Sequence, residues 1–391
     1  MADVPVKGAV LKWARDERGL TLTAAAELLA VDEEYLAKLE GDELKPNVSL
    51  LREMAQKYEI GFSSLLMPAP LPLTTKLEVE DFRTIRSNKT AWTSSLLALI
   101  DNVNIAIEGL NDLRAEAPDL FSDVRLPRYT RNDNPEKIAA AERARLRVSV
   151  DDQMGWDTEY TAFKAWRAVV EAEGAFVYVM RAGKEAQWRG MSIFDKRAIP
   201  VVIINGAEDV VEPRIFSLWH EYCHLLLRNT AISDENRKHN VERFCNQFAA
   251  FFLMPREKFI SLAAPKRPPP GQDWSDDNIR WLARWFKTSL SSVAVHLEEV
   301  GLARSGLYDR KLVEWRTREK KKGKPVTTHP AKIANKLGVR HVDTVLHALD
   351  AGVIDVLDAN ELLFDTKPKF FEPLRKEIEE RKLLYGRDRR D

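Results

Sequence analysis

The chain has 391 residues, 45% hydrophobic and 31% charged, and its 60 basic and 60 acidic side chains cancel to a formal net charge of zero. That length accommodates two or three domains, and that composition supports packed cores rather than disorder. The zero balance gives no global field toward nucleic acid or membrane, no apolar run approaches the ~20 residues of a membrane helix, and the first residues lack the apolar segment of a secretion signal.

Residues from about Lys7 to Met67 read as an all-helical unit. Ala9 to Arg18 forms a first amphipathic helix stopped by Gly19, and Thr21-Leu22-Thr23 caps a second, Ala24 to Leu29. Tyr35 to Glu40 follows, ended by Gly41, and Asn47 opens a fourth helix, Leu50 to Tyr58, before a short fifth near Phe62 to Leu66. The run Arg18-Gly19-Leu20-Thr21, Ala25-Glu27-Leu28, Tyr35-Leu36-Leu39-Glu40-Gly41 and Lys45-Pro46 resembles a helix-turn-helix domain of the Xre (lambda-repressor-like) family. Such a domain reads DNA through the first residues of its third helix, which here are Asp32, Glu33 and Glu34. Residues 1–70 carry eight Lys/Arg and twelve Asp/Glu, a net of −4. DNA affinity depends on neutralising phosphates, so weak or no independent DNA binding is expected, with protein recognition as the alternative role.

Pro68-Ala69-Pro70-Leu71-Pro72 reads as a stiff linker, placing boundaries at 1–68 for the helix-turn-helix domain, 69–75 for the linker and 76–265 for a second domain. Asp81-Phe82-Arg83-Thr84 precedes a long helix, about Ala91 to Ala115, then Pro135 to Val148 and Thr158 to Gly174. Ala175 to Met180, Gly190 to Phe194 and Ile199 to Asn205 read as strands. A helix begins near Glu212-Pro213, another spans Asn240 to Phe252, and a proline-rich loop covers 265–274. Residues 275–315 read as a helix-turn-helix-like segment centred on Ile279 to Leu302. Arg316 to Lys324 is a basic connection, a solvated linker rather than a nucleic-acid patch, and 325–391 is a helical region whose role the sequence leaves open. The fold class is α+β, mostly helical with a small sheet.

His220-Glu221-Tyr222-Cys223-His224 is an HExxH pattern within an apolar helical run. Residues four apart share a helix face, so the two imidazoles can hold one zinc ion, with Glu221 as general base. About twenty residues on, Glu242 can complete a set of two histidines and one glutamate, leaving the fourth tetrahedral position open. Asn246, one turn further, can support a ligand imidazole by a hydrogen bond. The strand Val201 to Asn205, through Val202, Ile204 and Asn205, is a candidate edge for pairing with an extended substrate. Tyr222 and His239 are candidates for stabilising an oxyanion. His296, His329, His341 and His347 lack ligand spacing and read as core or surface residues.

The run Phe216 to His224, followed by Glu242-x-x-Cys245-Asn246-x-Phe248-Ala249-Ala250 and Leu253-Met254-Pro255, is similar to the ImmA/IrrE family of zinc peptidases. The similarity extends to Asp81-Phe82-Arg83, to the strand ending at Asn205 and to Ile279–Leu302. The resemblance implies a zincin-like peptidase fold, Zn2+ on His220, His224 and Glu242, and catalysis by Glu221. It also implies a protein substrate, a helix-turn-helix repressor in a stress, phage or mobile-element response. Trp219 stands where the family commonly has a small residue, and Cys223 and Cys245 stand at Gly or Ala positions. The two cysteines read as small packing residues, with an oxidation-sensing thiol pair as the sharper reading. Two cysteines in this length otherwise point to a reducing cytoplasm. Two other readings are a DNA-binding regulator using the peptidase fold as a sensor, and a defence or toxin–antitoxin component triggered by a ligand at 325–391.

Overall fold

The computed structural model describes residues 4–18, 20–58, 60, 62–70, 94–181, 188–194, 199–207, 210–228, 235–316 and 327–385, with backbone alone at 17, 63, 94–95, 97–98, 235–239 and 316. The linker beyond Pro70, the Asp81-Phe82-Arg83-Thr84 segment, the connection 317–324 and the side chain of His239 lie outside the described residues. The chain divides into two compact units. One holds Met1–Val79, Thr84–Glu108 and Arg181–Trp188; the other holds Glu80–Arg83, Gly109–Met180 and Arg189–Asp391. The fold is α+β and predominantly helical.

In the first unit, α1 (Gly8–Glu17), α2 (Leu22–Leu29), α3 (Glu33–Glu40) and α4 (Val48–Lys57) enclose an apolar core that includes Leu11, Ala25, Leu36, Leu51, Met54 and Tyr58. The starts of α2, α3 and α4 are each set by a polar cap that accepts a backbone N–H otherwise left without a partner. Thr21 caps α2 through Ala24 N at 3.2 Å, Asp32 caps α3 through Glu34 N at 2.8 Å, and Asn47 caps α4 through Leu50 N at 2.9 Å. A Cβ on Gly8 would lie 2.4 Å from the Glu40 carbonyl oxygen, so only glycine lets the start of α1 meet the end of α3. Arg15 ties the same corner with a bidentate pair to Glu40 at 2.7 and 2.9 Å. Residues of α5 (Ser94–Glu116) contribute to both units. Arg18 donates to Asp101 of α5 and to the Tyr58 carbonyl within the first unit.

The second unit continues with α6 (Pro135–Arg145), α7 (Val150–Gly155), α8 (Glu159–Ala172) and β1 (Phe176–Met180). Strands β2 (Gly190–Ile193) and β3 (Val201–Asn205) complete a sheet of order β1-β3-β2. β1 runs parallel to β3, Phe176 opposite Val201 and Met180 opposite Asn205, and β2 is antiparallel, Gly190 opposite Ile204. The helices α9 (Glu212–Leu227), α10 (Glu235–Leu253), α11 (Arg256–Ala263), α12 (Asp276–Phe286), α13 (Leu290–Glu299) and α14 (Leu307–Arg316) follow. One apolar cluster runs from Leu126 to Leu307 and takes in Trp274, Ile279, Phe286 and Val293, so residues of 275–315 share the core built on α9 and α10. Trp219 is fully buried, stacked on Phe252 with centroids 3.6 Å apart and edge-on to Trp166 at 5.0 Å. This large residue at a commonly small position thus locks α9 against α8 and α10.

The last helices are α15 (His329–Leu337), α16 (Val339–Asp350), α17 (Val356–Leu362) and α18 (Phe371–Tyr385). Their junction with α8 is polar and buried. Arg167 pairs with Glu171 at 2.9 Å and donates to the Asn335 carbonyl at 2.6 Å, and Glu171 accepts from the Arg340 N–H at 3.3 Å. The pair therefore serves the open end of α15 and the start of α16 together. Gly338 lies between them at φ +90°, and a Cβ there would sit 2.1 Å from the Glu171 carboxylate. On the adjoining strand, Tyr178 Oη and His341 Nδ1 are 2.9 Å apart, and His341 Nε2 lies 2.8 Å from the Leu362 carbonyl. A neutral ring donating from Nε2 and accepting at Nδ1 satisfies both contacts.

Candidate metal centre

Helices α9 and α10 pack side by side and present His220, His224 and Glu242 to one another. Pro213 in the first turn of α9 fixes its start, and the apolar residues Ile215, Leu218, Tyr222, Leu225 and Leu226 bury one flank, which sets the roll of the helix. His220 and His224 are both buried, with their Nε2 atoms 3.0 Å apart. The Glu242 carboxylate reaches His220 Nε2 at 3.4 Å through one oxygen and His224 Nε2 at 3.2 Å through the other. Tetrahedral zinc with bonds of about 2.0–2.1 Å requires donor separations of about 3.3 Å, so this triangle has the size the ion needs. Burial pushes the Glu242 carboxyl up, but the two imidazoles offset it and hold the group well below the usual carboxylate range. It is therefore an anionic acceptor, as metal ligation requires.

Cys245 offers a further donor. Its sulfur and one nitrogen each of His220 and His224 all lie within 4.8 Å of one another. It stands one turn after Glu242, an i, i+3 spacing that carries the same face, and the sequence reading did not count it as a ligand. Burial together with the contact to Cys223 pushes the Cys245 thiol up. Both cysteines are buried and free. Asn246 lies one turn beyond Glu242 on α10, at the register expected of it.

Glu221 is buried, and its carboxylate is held from the sheet side. Ser192 Oγ on β2 donates to Glu221 Oε2 at 3.1 Å. A Cβ on Gly190 would lie 2.9 Å from both Glu221 Cγ and Oε1. The bare backbone of β2 at Gly190 is thus the surface on which the carboxylate rests. Neither Gly190 nor Ser192 was singled out from the sequence; the contact joins residues 29 apart, and no local pattern reports it.

Two expectations change. The strand Val201–Asn205 is central, not an edge: β1 pairs with one side and β2 with the other, and Val202 and Ile204 are fully buried. Asn205 is buried as well and accepts from the Ala207 N–H at 2.8 Å. Val202, Ile204 and Asn205 therefore offer no open strand edge; among the described residues the edge strands are β1 and β2, and β2 is the one beside Glu221. Tyr222 is likewise turned away from the histidines. It donates to Glu142 at 2.8 Å, accepts from Arg145 at 2.8 Å, and belongs to a buried network with Tyr129.

The chain's comparison with family models matches this geometry. Residues 172–298 match a peptidase family described as the IrrE N-terminal-like domain. Residues 11–65 match a family described as helix-turn-helix. Along the chain a helix-turn-helix match is thus followed by a match to an IrrE N-terminal-like peptidase family, and the second match spans His220, Glu221, His224 and Glu242. No curated protein and no solved structure matches the chain. Among the described residues no helix is long and apolar enough to cross a membrane.

Proposed function

We propose that the chain is a zinc-dependent endopeptidase that cleaves a helix-turn-helix transcriptional repressor or another regulatory protein, in a stress, phage or mobile-element response. The observation that carries this reading is the convergence of two imidazoles and a carboxylate at 3.0 to 3.4 Å beside a buried glutamate. His220, His224 and Glu242 would hold the ion. When bound, zinc supplies Lewis acidity to the scissile carbonyl and lowers the pKa of water. Glu221 takes the proton of the attacking water on a carboxylate oxygen and delivers it to the leaving amine. The Ser192 hydroxyl and the Gly190 backbone keep that carboxylate in one orientation while it does so. The open edge of β2, beside Glu221, offers main-chain hydrogen bonds to an extended substrate.

The acidic face of α3 supports a protein-recognising role for the helix-turn-helix domain. Asp32, Glu33 and Glu34 are exposed at the start of α3, where a DNA reader needs neutral or basic groups. A gel shift at low salt checks this: little binding is expected, and tight sequence-specific binding by the full chain would contradict it. Co-expression with the products of neighbouring genes tests the peptidase reading. A cut product is expected with the wild type and its loss, by about 10²–10⁴ in rate, with Glu221→Gln. Identical patterns from the two would end the reading.

A further inference from the structure

A cavity of about 250 Å³ lies in the second unit, away from the metal centre, lined by Arg114, Phe121, Asp123, Gly174, Phe176 and Arg340 among others. Phe176 opens β1 and Ile199, also on the wall, precedes β3, whereas Glu221 rests on Gly190, whose partner Ile204 is near the far end of β3. The cavity and the metal centre therefore address opposite ends of the sheet. Its floor is fixed by backbone: Gly174 has φ +95°, and a Cβ there would lie 2.8 Å from Val124 Cα.

The arginines give the cavity its chemistry. The Arg340 guanidinium lies over the Phe176 ring at 5.1 Å and donates at 3.1 to 3.3 Å to the Glu171 carbonyl and to the carbonyl and hydroxyl of Ser122. All three acceptors are neutral, and Arg340 Nε is buried with no partner among the described residues. Of the nearby carboxylates, Glu171 pairs with Arg167 and accepts the Arg340 backbone N–H, and Asp343 pairs with Lys382, while both also attract the Arg340 charge. Arg114, at the end of α5, brings a second guanidinium that has no ion pair among the described residues. Against these two cations the wall sets one carboxylate, Asp123, and the rest of the surface includes the half-buried ring of Phe121, which packs 6.3 Å from the buried ring of Phe176. Two guanidinium groups set against one carboxylate, beside an apolar ring, fit an anionic head on a flat apolar body.

We propose that this cavity binds a small organic anion, a carboxylate or phosphate head carrying a planar apolar body, held by Arg340 and Arg114 with the body against Phe121. Arg340 sits in the first turn of α16, so the ligand would bridge the C-terminal helices and the start of β1. The assignment stands independently of the peptidase reading, because it concerns binding alone.

Isothermal titration of the full chain at low salt, with benzoate, adenosine monophosphate and inorganic phosphate as probes, tests it. At least one of the two organic anions should bind with a Kd below about 1 mM. Which of them binds separates a carboxylate head from a phosphate head. Arg114→Gln, at an exposed position that folding tolerates, should weaken binding about tenfold or more, the effect of a lost charged hydrogen bond. Asp123→Asn should tighten it. The proposal is overturned if neither organic anion saturates, if Arg114→Gln binds as the wild type does, or if inorganic phosphate binds as tightly as the organic anions.

Discussion

The helix-turn-helix unit and the unit that holds the candidate metal centre treat polar groups in opposite ways. In the first, the exposed Thr21 and Asp32 and the half-buried Asn47 cap helix starts, and Arg15 pairs with Glu40 inside. In the second, polar groups go inside: His220, Glu221, His224, Glu142, Arg167, Glu171 and His341 are all buried. Burying such groups costs free energy unless each finds a partner. Most of these build structure, as Glu142 does among Tyr129, Arg145 and Tyr222. Around His220, two imidazoles, a carboxylate and a second glutamate come together. The difference teaches that a buried charge alone does not mark a site; a cluster of lone pairs aimed at one point does.

The contrast is sharpest in acid. The first unit has no histidine, whereas the second holds His341, which burial lowers from 6.5 to about 4. Below its unfolded value the unfolded chain binds the extra proton, so stability is present above pH 6.5 and is lost as the pH falls toward about 4. The loss for this one residue amounts to about 3 kcal/mol at most, and His296, lowered to about 3, adds to it. Denaturant melts of the full chain across that window should show the second unit weakening more than the first, and His341→Gln should flatten the slope. Equal weakening of both units would break the comparison.

A smaller effect is expected at Gly190. Replacing it by alanine forces a methyl group against the Glu221 carboxylate and should lower the cleavage rate about tenfold to a hundredfold, with the melting temperature nearly unchanged. Full activity in that variant would remove β2 from the positioning of Glu221. Smaller again is the cap of α3. Asp32→Ala should cost the first unit about 1 kcal/mol, read by urea unfolding, and leave proteolysis alone.

Much of this was legible in the residues. HExxH with Glu242 reads directly because helix period alone puts ligands four residues apart on one face. The three strands and the caps at Thr21 and Asn47 follow from local composition in the same way. The position of β3 was also written in the chain, and misread: Val201-Val202-Ile203-Ile204 has no alternation, the mark of a strand buried on both faces. The helices α7 and α11 were missed; they are only 6 and 8 residues long and give weak periodic signals. Gly190, Ser192 and Arg340 were not legible, because their roles depend on pairings between segments distant in sequence.

Metal content tests the central assignment most directly. Purified full-length protein, measured by elemental analysis, should hold about one zinc per chain, and so should Glu221→Gln and Cys245→Ser. His224→Ala and Glu242→Ala should each lose most of it while the far-ultraviolet spectrum stays helical. Retention of zinc in Glu242→Ala with its loss in Cys245→Ser would contradict the assignment and move the third ligand to the thiol.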